Sequence, residues 1–385
     1  MNNQFLFFIH PRTRVEFKDD VVRTLGRKWG KRLGWLARLL PTAWWLQLLH
    51  AMVLKESRPC TWQGEAIGSI GVVGAIADEL IPPQDHPDRL EAVAWAESVV
   101  LAAVVKASDA YSHIGLGALT APATRGGSSL VDGLAEKNMT RPYITNGNTL
   151  TAYLTHLSVQ QQIKTVQSLV PDWQPRIAVL GANGSVGRLV SLLLLQAGAI
   201  DPILICSNPV KANILQKEVT RKGYVATTNA DMETLIRADL IVVTTSGVKA
   251  LLSADMLTPG TLVYDDTQPR NCRPAHFPPV SESGILVIDG AIMEVDGLRV
   301  GMDIDLPKPN QVYACLAETM LMAEFDITEH FSIGRDLSLA KVQSVADLYQ
   351  RSRYQFHPSA VMSFRKVVEQ TDWQFLADAI KQRRH

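Results

Sequence analysis

RIAVLGANGSVGRLVSLLLL, residues 176–195, reads as a strand, a glycine-rich turn and a helix with scarcely a break. The apolar run Ile177–Leu180 suits a buried parallel strand. The chain then turns at Gly181, Gly184 and Gly187. The first takes the tight turn, the second leaves no Cβ in the path of a pyrophosphate, and the third lets the helix lie close on the strand. Val186, Leu189, Val190 and Leu193 repeat at helical spacing, so the helix N-terminus aims N–H groups at an anion over the turn. Asn183, Ser185 and Val186 join the three glycines as candidate dinucleotide-binding positions. The spacing is G-x-x-G-x-x-G rather than G-x-G-x-x-G, and its strand–turn–helix context is what sets it apart from a plain glycine-rich turn.

The next strand narrows the cofactor. Pro202–Cys206 ends at Ser207, where an NAD site usually carries Asp or Glu for the ribose 2′-hydroxyl. Here Ser207, Asn208 and Lys211 stand instead, two small polar groups and a cation that suit a 2′-phosphate. NADPH is therefore expected over NADH. Further strands are predicted at Tyr224–Thr228, Leu240–Thr245, Thr261–Asp265 and Ile285–Ile288, with a short acidic helix at Asp231–Arg237. Thr244, Thr245 and Ser246 lie beyond a strand's carboxyl end and are expected on the nicotinamide side. Asp265, Asp266 and Asp289 also end strands, where aspartate reads as a turn or helix cap.

At 385 residues the chain calls for more than one core. A hydrophobic content of 46% against 20% charged supplies those cores, and a net charge of zero gives no argument for nucleic acid. Cys60, Cys206, Cys272 and Cys315 lack C-x-x-C spacing, which argues against a disulfide framework and a zinc site. With no signal peptide visible at Met1–His10, the cytoplasm is the expected compartment. The expected fold class is α/β: a Rossmann-like doubly wound parallel sheet at 151–306, a mixed α/β N-terminal substrate domain at 1–150, and C-terminal helices at 307–385. Within the first domain a helix is expected at His86–Ser108, and the small-residue loop Tyr111–Ser129 is one a ligand could approach closely. A further helix is expected at Leu150–Val170, with Asn148 or Thr149 as its cap.

Arg23–Arg38 carries six Lys and Arg residues and no acid, and it runs into Trp44, Trp45, Leu46, Leu48 and Leu49. Three readings stay open for 23–50: a helix whose apolar stripe enters the core, a segment lying on a membrane, and a docking face for an acidic partner.

Several segments resemble the long-chain acyl-acyl-carrier-protein reductases, which form fatty aldehydes. They are Gly115–Thr120 (GLGALT), Thr145–Tyr153 (TNGNTLTAY), the GANGSVG turn, Ile285–Val295 (ILVIDGAIMEV) and Gln311–Phe325 (QVYACLAETMLMAEF). The likeness runs from Tyr111 to Phe356; residues 1–110 match poorly. It implies NADPH-dependent reduction of an acyl thioester to the free aldehyde, with an acyl carrier protein or acyl-CoA as donor and Cys315 as the nucleophile that takes the acyl group. Two departures stand out: GANGSVG where the family usually has GATGDIG, and Leu150 where it commonly has histidine.

Without the resemblance, Cys315 among Val312, Leu316 and Met320 reads as core. Residues Pro307–Asn310 are expected to open an apolar helix, Gln311–Phe325, with Cys315 beyond its first turn, so the helix dipole alone would not activate it. His113 is then the leading candidate base, with His330 behind it. Two other readings remain: an NADP-dependent dehydrogenase of a small substrate with no covalent step, and an NADPH-binding or carrier-docking protein with no chemistry.

Overall fold

The computed structural model describes residues 4–11, 13, 15, 17–18, 41–246, 250–290, 292–335 and 337–384. The chain divides into two compact units. The first holds Met1–Gly147, Gly297–Ile304 and Thr319–Gly334; the second holds Asn148–Asp296, Asp305–Glu318 and Arg335–His385.

The second unit is built on six strands: β6 (Ile177–Leu180), β7 (Ile203–Ile205), β8 (Thr227–Asn229), β9 (Leu240–Val243), β10 (Leu262–Asp265) and β11 (Leu286–Asp289). All pair in parallel, in the order β11-β10-β9-β6-β7-β8. The chain starts in the middle at β6, works outward to β8, then crosses back to β9 and works outward the other way. That is the Rossmann order, with its switch point between β6 and β9. The central strands β6, β7 and β9 are uninterrupted apolar runs because both faces are covered, while the edge strand β8 is polar. Val179, Leu204, Val242 and Tyr264 face a core with the helices Asn148–Leu169, Ser185–Gln196, Pro209–Arg221 and Gln370–Arg384. Ala178, Leu180, Ile205 and Val243 face the opposite side, where Leu235, Leu252, Leu257 and Phe277 pack from short 3-10 turns and loops. The acidic segment at 231–237 is one of these turns, Met232–Arg237, with Asp231 capping it by accepting from Glu233 N at 2.9 Å.

The first unit is a six-stranded mixed sheet. Its strands are β1 (Phe5–Ile9), β2 (Leu54–Trp62), β3 (Glu65–Val73), β4 (His113–Leu116), β5 (Tyr143–Thr145) and β12 (Leu298–Arg299), in the order β12-β2-β3-β1-β4-β5. Phe5, Leu6, Phe7 and Phe8 are almost wholly buried, so β1 is the centre of this core. The helices Arg89–Ala107 and Ser128–Glu136 belong to the same unit. Close packing against β1 and Thr319 explains the glycines at 115 and 117. A Cβ on Gly115 would collide with Thr319 Oγ1, and one on Gly117 would lie 2.5 Å from the Phe7 ring. These glycines serve packing rather than the close approach of a ligand expected for that loop.

Arg23–Arg38 lies outside the described residues. The apolar stretch after it forms the helix Thr42–Ala51, in which Trp45 and Leu49 are buried against Phe17 and Ile76 while Trp44 stays 45% exposed. Among the described residues, no helix is long and apolar enough to cross a membrane.

One predicted element changes character. Gln311–Phe325 is not a single helix: Gln311–Tyr313 is a strand, antiparallel to Ile292–Glu294, and the helix is Ala314–Glu324. Val312 and Tyr313 favour a strand wherever a partner is available, and Ile292–Glu294 supplies it. The tail after Leu337 likewise resolves into two helices, Leu339–Arg351 and Gln370–Arg384, separated by the short hairpin Met362–Ser363 with Lys366–Val367.

Candidate functional site

The glycine turn closes β6 onto the helix Ser185–Gln196. Gly181 has φ +90°, a left-handed conformation that favours glycine, and both Gly181 N and Ala182 N donate to Ile205 O at 3.0 Å. A Cβ on Gly187 would collide with Gly181 O and lie 2.5 Å from Thr244 Oγ1. Only hydrogen fits where helix, turn and β9 loop meet. Gly184 is different: the nearest atom to its absent Cβ is Gly181 O at 3.2 Å, and the next is Thr244 O at 3.9 Å. It is the residue before the helix, with extended φ and ψ. The turn is therefore less crowded at Gly184 than at Gly187, and with no side chain at 184 the backbone over the helix N-terminus stays accessible, as a pyrophosphate requires.

The other predicted cofactor residues gather round this turn. Asn183 Oδ1 accepts from Ser207 N at 2.7 Å, tying the turn to the end of β7. Lys211 Nζ donates to Ser207 Oγ at 3.1 Å, so the hydroxyl and the ammonium form one exposed pair there. Asn208 caps the helix Pro209–Arg221 by accepting from Lys211 N at 3.0 Å. Ser185 Oγ accepts from Asn148 Nδ2 at 2.7 Å, and Val186 packs against the core. Thr244 Oγ1 donates to Leu180 O at 3.0 Å, bridging β9 to β6 at the switch point. Thr245 Oγ1 accepts from Asn271 Nδ2 at 2.9 Å, and Ser246 is exposed.

Cys315 belongs to the same unit as this turn and is partly exposed. Because the helix begins at Ala314, Cys315 lies in its first turn, not beyond it as expected. The backbone N–H groups of Leu316 and Cys315 favour a thiolate there. They are outweighed. Desolvation of the sulfur, followed by the negative charges of Asp266 and Glu318, pushes the thiol up to about 12. Burial also raises Cys60 and Cys206 to about 11 and Cys272 further still. All four are thiols at neutral pH.

His113 lies in the other unit, on β4. It is 1% exposed, with Nε2 3.0 Å from Ile327 O and Nδ1 2.9 Å from Ser112 Oγ. Burial holds its imidazole below the usual histidine value, and the Ile327 carbonyl only partly offsets this. His330 Nδ1 accepts from Ile144 N at 3.1 Å, and burial lowers it as well.

Two site residues escaped the sequence reading. Glu318 is 0% exposed and accepts from Leu150 N at 2.8 Å, so a buried carboxylate stabilises the N-terminus of the helix Asn148–Leu169. A lone acid among Ala317, Met320 and Leu321 was the available signal, since a buried charge must find a partner. Thr155 is also fully buried and donates to Asp266 Oδ2 at 2.6 Å. Among the described residues, no group of three or more His, Cys, Asp or Glu could hold a metal ion.

Strand order, switch point and glycine turn together define a Rossmann-type α/β fold. The chain matches no family model. It is 25% identical over 296 residues to a Serratia sp. (strain ATCC 39006) protein named aminotransferase PigE; the match covers 76% of this chain and 33% of that protein. The chain therefore spans about a third of the curated relative's length. Solved structures that the chain matches include quinate dehydrogenase from Corynebacterium glutamicum in complex with NAD, with TM-score 0.31, 12% identity and coverage of 73% of this chain and 83% of that one. L-tryptophan dehydrogenase from Nostoc punctiforme is another, with TM-score 0.36, 13% identity and coverage of 98% and 88%. The resemblance to acyl-acyl-carrier-protein reductases is thereby corrected: the curated relative carries an aminotransferase name and no family model supports the assignment. The quoted segments are largely packing solutions, such as the crowded Gly115 and Gly117 and the buried Leu150, Ala317 and Met320, and packing motifs recur between proteins of different activity.

Proposed function

We propose that the chain is an NAD(P)-dependent oxidoreductase that acts on a small substrate by direct hydride transfer and takes NADPH in preference to NADH. The observation that carries it is the glycine turn at the switch point, with Gly184, which carries no side chain, immediately before a helix N-terminus. A nicotinamide dinucleotide, when bound, supplies or accepts the hydride. The protein's part is to hold it: backbone N–H groups of the turn for the pyrophosphate, and the Thr244–Ser246 loop for the nicotinamide side. Ser207 Oγ and Lys211 Nζ, 3.1 Å apart and exposed, offer a donor and a charge to a 2′-phosphate. No carboxylate stands at 207 or 208 to bind a 2′-hydroxyl instead.

Direct transfer is favoured over a cysteine intermediate because Cys315 is neutral in these surroundings and faces negative rather than positive charge. The relative's aminotransferase name does not carry over, since that protein is matched over only 33% of its length. The test is a titration of purified protein with NADPH and NADH, followed by turnover assays on small alcohols, aldehydes and ketones with wild type and Cys315→Ser. Binding of neither nucleotide would remove the reading. Abolished turnover in Cys315→Ser, with NADPH binding kept, would replace direct transfer by covalent catalysis.

A further inference from the structure

Asp265 and Asp266 are adjacent at the carboxyl end of β10, and the structure gives them different tasks. Asp265 is spent on the loop that follows it. Its Oδ1 accepts from Thr267 N at 3.2 Å and Thr267 Oγ1 at 2.5 Å, and its Oδ2 accepts from Cys272 N at 2.7 Å. That is the turn-capping role expected of both residues. The Asp266 carboxylate has another setting. Asp266 N donates to Val243 O at 3.0 Å, holding the backbone in line with β9, while Oδ2 accepts from Thr155 Oγ1 at 2.6 Å. Gly290, at the end of β11, makes room for it: a Cβ there would lie 2.5 Å from both Asp266 Cα and Asp266 Oδ1. Asp266 keeps partial exposure, and its charge is felt at Cys315. A half-buried carboxylate is thus locked in place by a buried hydroxyl and a missing side chain. It lies at the strand ends where ligands of such sheets gather.

The geometry points to Asp266 as the acid–base residue of the oxidoreductase reaction, with Thr155 and Gly290 positioning it. This rests on the function proposed above and gives the substrate a class: an alcohol in one direction, its aldehyde or ketone in the other. In oxidation, the substrate O–H bond breaks and the proton bonds to an Asp266 oxygen. The electron pair of the C–H bond leaves with its hydrogen as hydride to the oxidised nicotinamide dinucleotide, which is the oxidant. In reduction both transfers reverse, and Asp266 must be protonated to give its proton to the carbonyl oxygen. Positioned acid–base groups are worth about 10²–10⁴-fold in rate.

The experiment compares wild type with Asp266→Asn, Thr155→Val, Thr155→Ser and Gly290→Ala. It measures NADPH affinity, pH profiles of the reduction of short aldehydes and ketones, and iodoacetamide labelling of Cys315 in the cofactor-free protein. Asp266→Asn should keep NADPH affinity, lose at least about a hundredfold in kcat, and lose the high-pH limb of the rate. Thr155→Val should move that limb upward, because the lost hydrogen bond had favoured the ionised form, and Thr155→Ser should restore it. Gly290→Ala should lower kcat as the carboxylate is displaced. Removing the negative charge in Asp266→Asn should speed Cys315 alkylation severalfold, a readout that needs no turnover. Wild-type kcat and pH profile in Asp266→Asn overturn the acid–base role and leave the oxidoreductase reading standing. Unchanged alkylation of Cys315 places the carboxylate elsewhere and overturns the role as well. A wild type that binds NADPH yet reduces no carbonyl in the panel refutes the oxidoreductase reading, and the proposal with it.

Discussion

Gly184 and Gly187 lie three residues apart in one turn, and alanine at each should fail in a different way. Gly184 has φ −73° and ψ 166°, which alanine adopts without strain. The added methyl would meet Gly181 O at 3.2 Å, a tight contact, and Thr244 O at 3.9 Å. The stiffer unfolded chain contributes about 0.4–1 kcal/mol, and the tight contact offsets some of that, so folding stability should stay within about 1 kcal/mol of wild type. The cofactor meets that methyl directly. If it costs one charge-assisted N–H···phosphate bond, the loss is about 1.5–3 kcal/mol, which is a rise in Kd of about ten- to a hundredfold or more. Gly187→Ala drives its methyl into Gly181 O and within 2.5 Å of Thr244 Oγ1. Backbone cannot swing aside as a side chain can, so overpacking of about 1–3 kcal/mol should appear in the folding equilibrium itself. Urea unfolding and NADPH titration, run on both variants, separate the two effects. A Gly184→Ala protein with wild-type NADPH affinity, or a Gly187→Ala protein as stable as wild type, would refute this account of the turn.

Lys211→Glu should weaken NADPH binding by about tenfold or more while leaving NADH within a few-fold, since only the 2′-phosphate meets the reversed charge; parallel titrations decide it, and equal losses for both nucleotides count against the 2′-phosphate site. Glu318→Gln, whose amide oxygen can still accept from Leu150 N, should destabilise the protein by about 1 kcal/mol, the difference between a charge-assisted and a neutral hydrogen bond, read as a lower urea midpoint. Iodoacetamide should label Cys315 slowly at neutral pH, with the rate still climbing at the highest pH tested, because the thiol stands near 12; fast labelling at pH 7 would contradict its surroundings. Burial lowers His113, His156 and His330 from their ordinary 6.5. The unfolded chain then binds more protons than the folded one between the lowered values and 6.5, so stability should fall as pH drops through that window. Urea midpoints across the window test this, and a midpoint that does not decline removes the three imidazoles from the balance.

The parallel sheet was legible because strands covered on both faces are written as unbroken apolar runs, and IAVL and LIVV admit few other readings. The glycine turn was legible because its three glycines have three separate steric reasons. The 311–325 segment misled because its apolar run passes through a strand–helix junction, and what makes Gln311–Tyr313 a strand is a partner some twenty residues earlier. The β2–β3 hairpin went unread although Gln63 and Gly64 both take positive φ, +51° and +89°. Gln-Gly is a weaker turn signal than Asn-Gly. Nothing local distinguishes Asp266 from Asp265. The difference is made by Thr155, 111 positions away in the chain.

Glu318 on the Cys315-bearing helix grips Leu150 N, and two residues before Leu150, Asn148 grips Ser185 at the start of the helix that follows the glycine turn. A clamp on the turn is therefore a clamp on the amide of Leu150. Amide hydrogen exchange at that position should slow when the nucleotide site fills, reporting occupancy from a residue that lies outside the glycine turn.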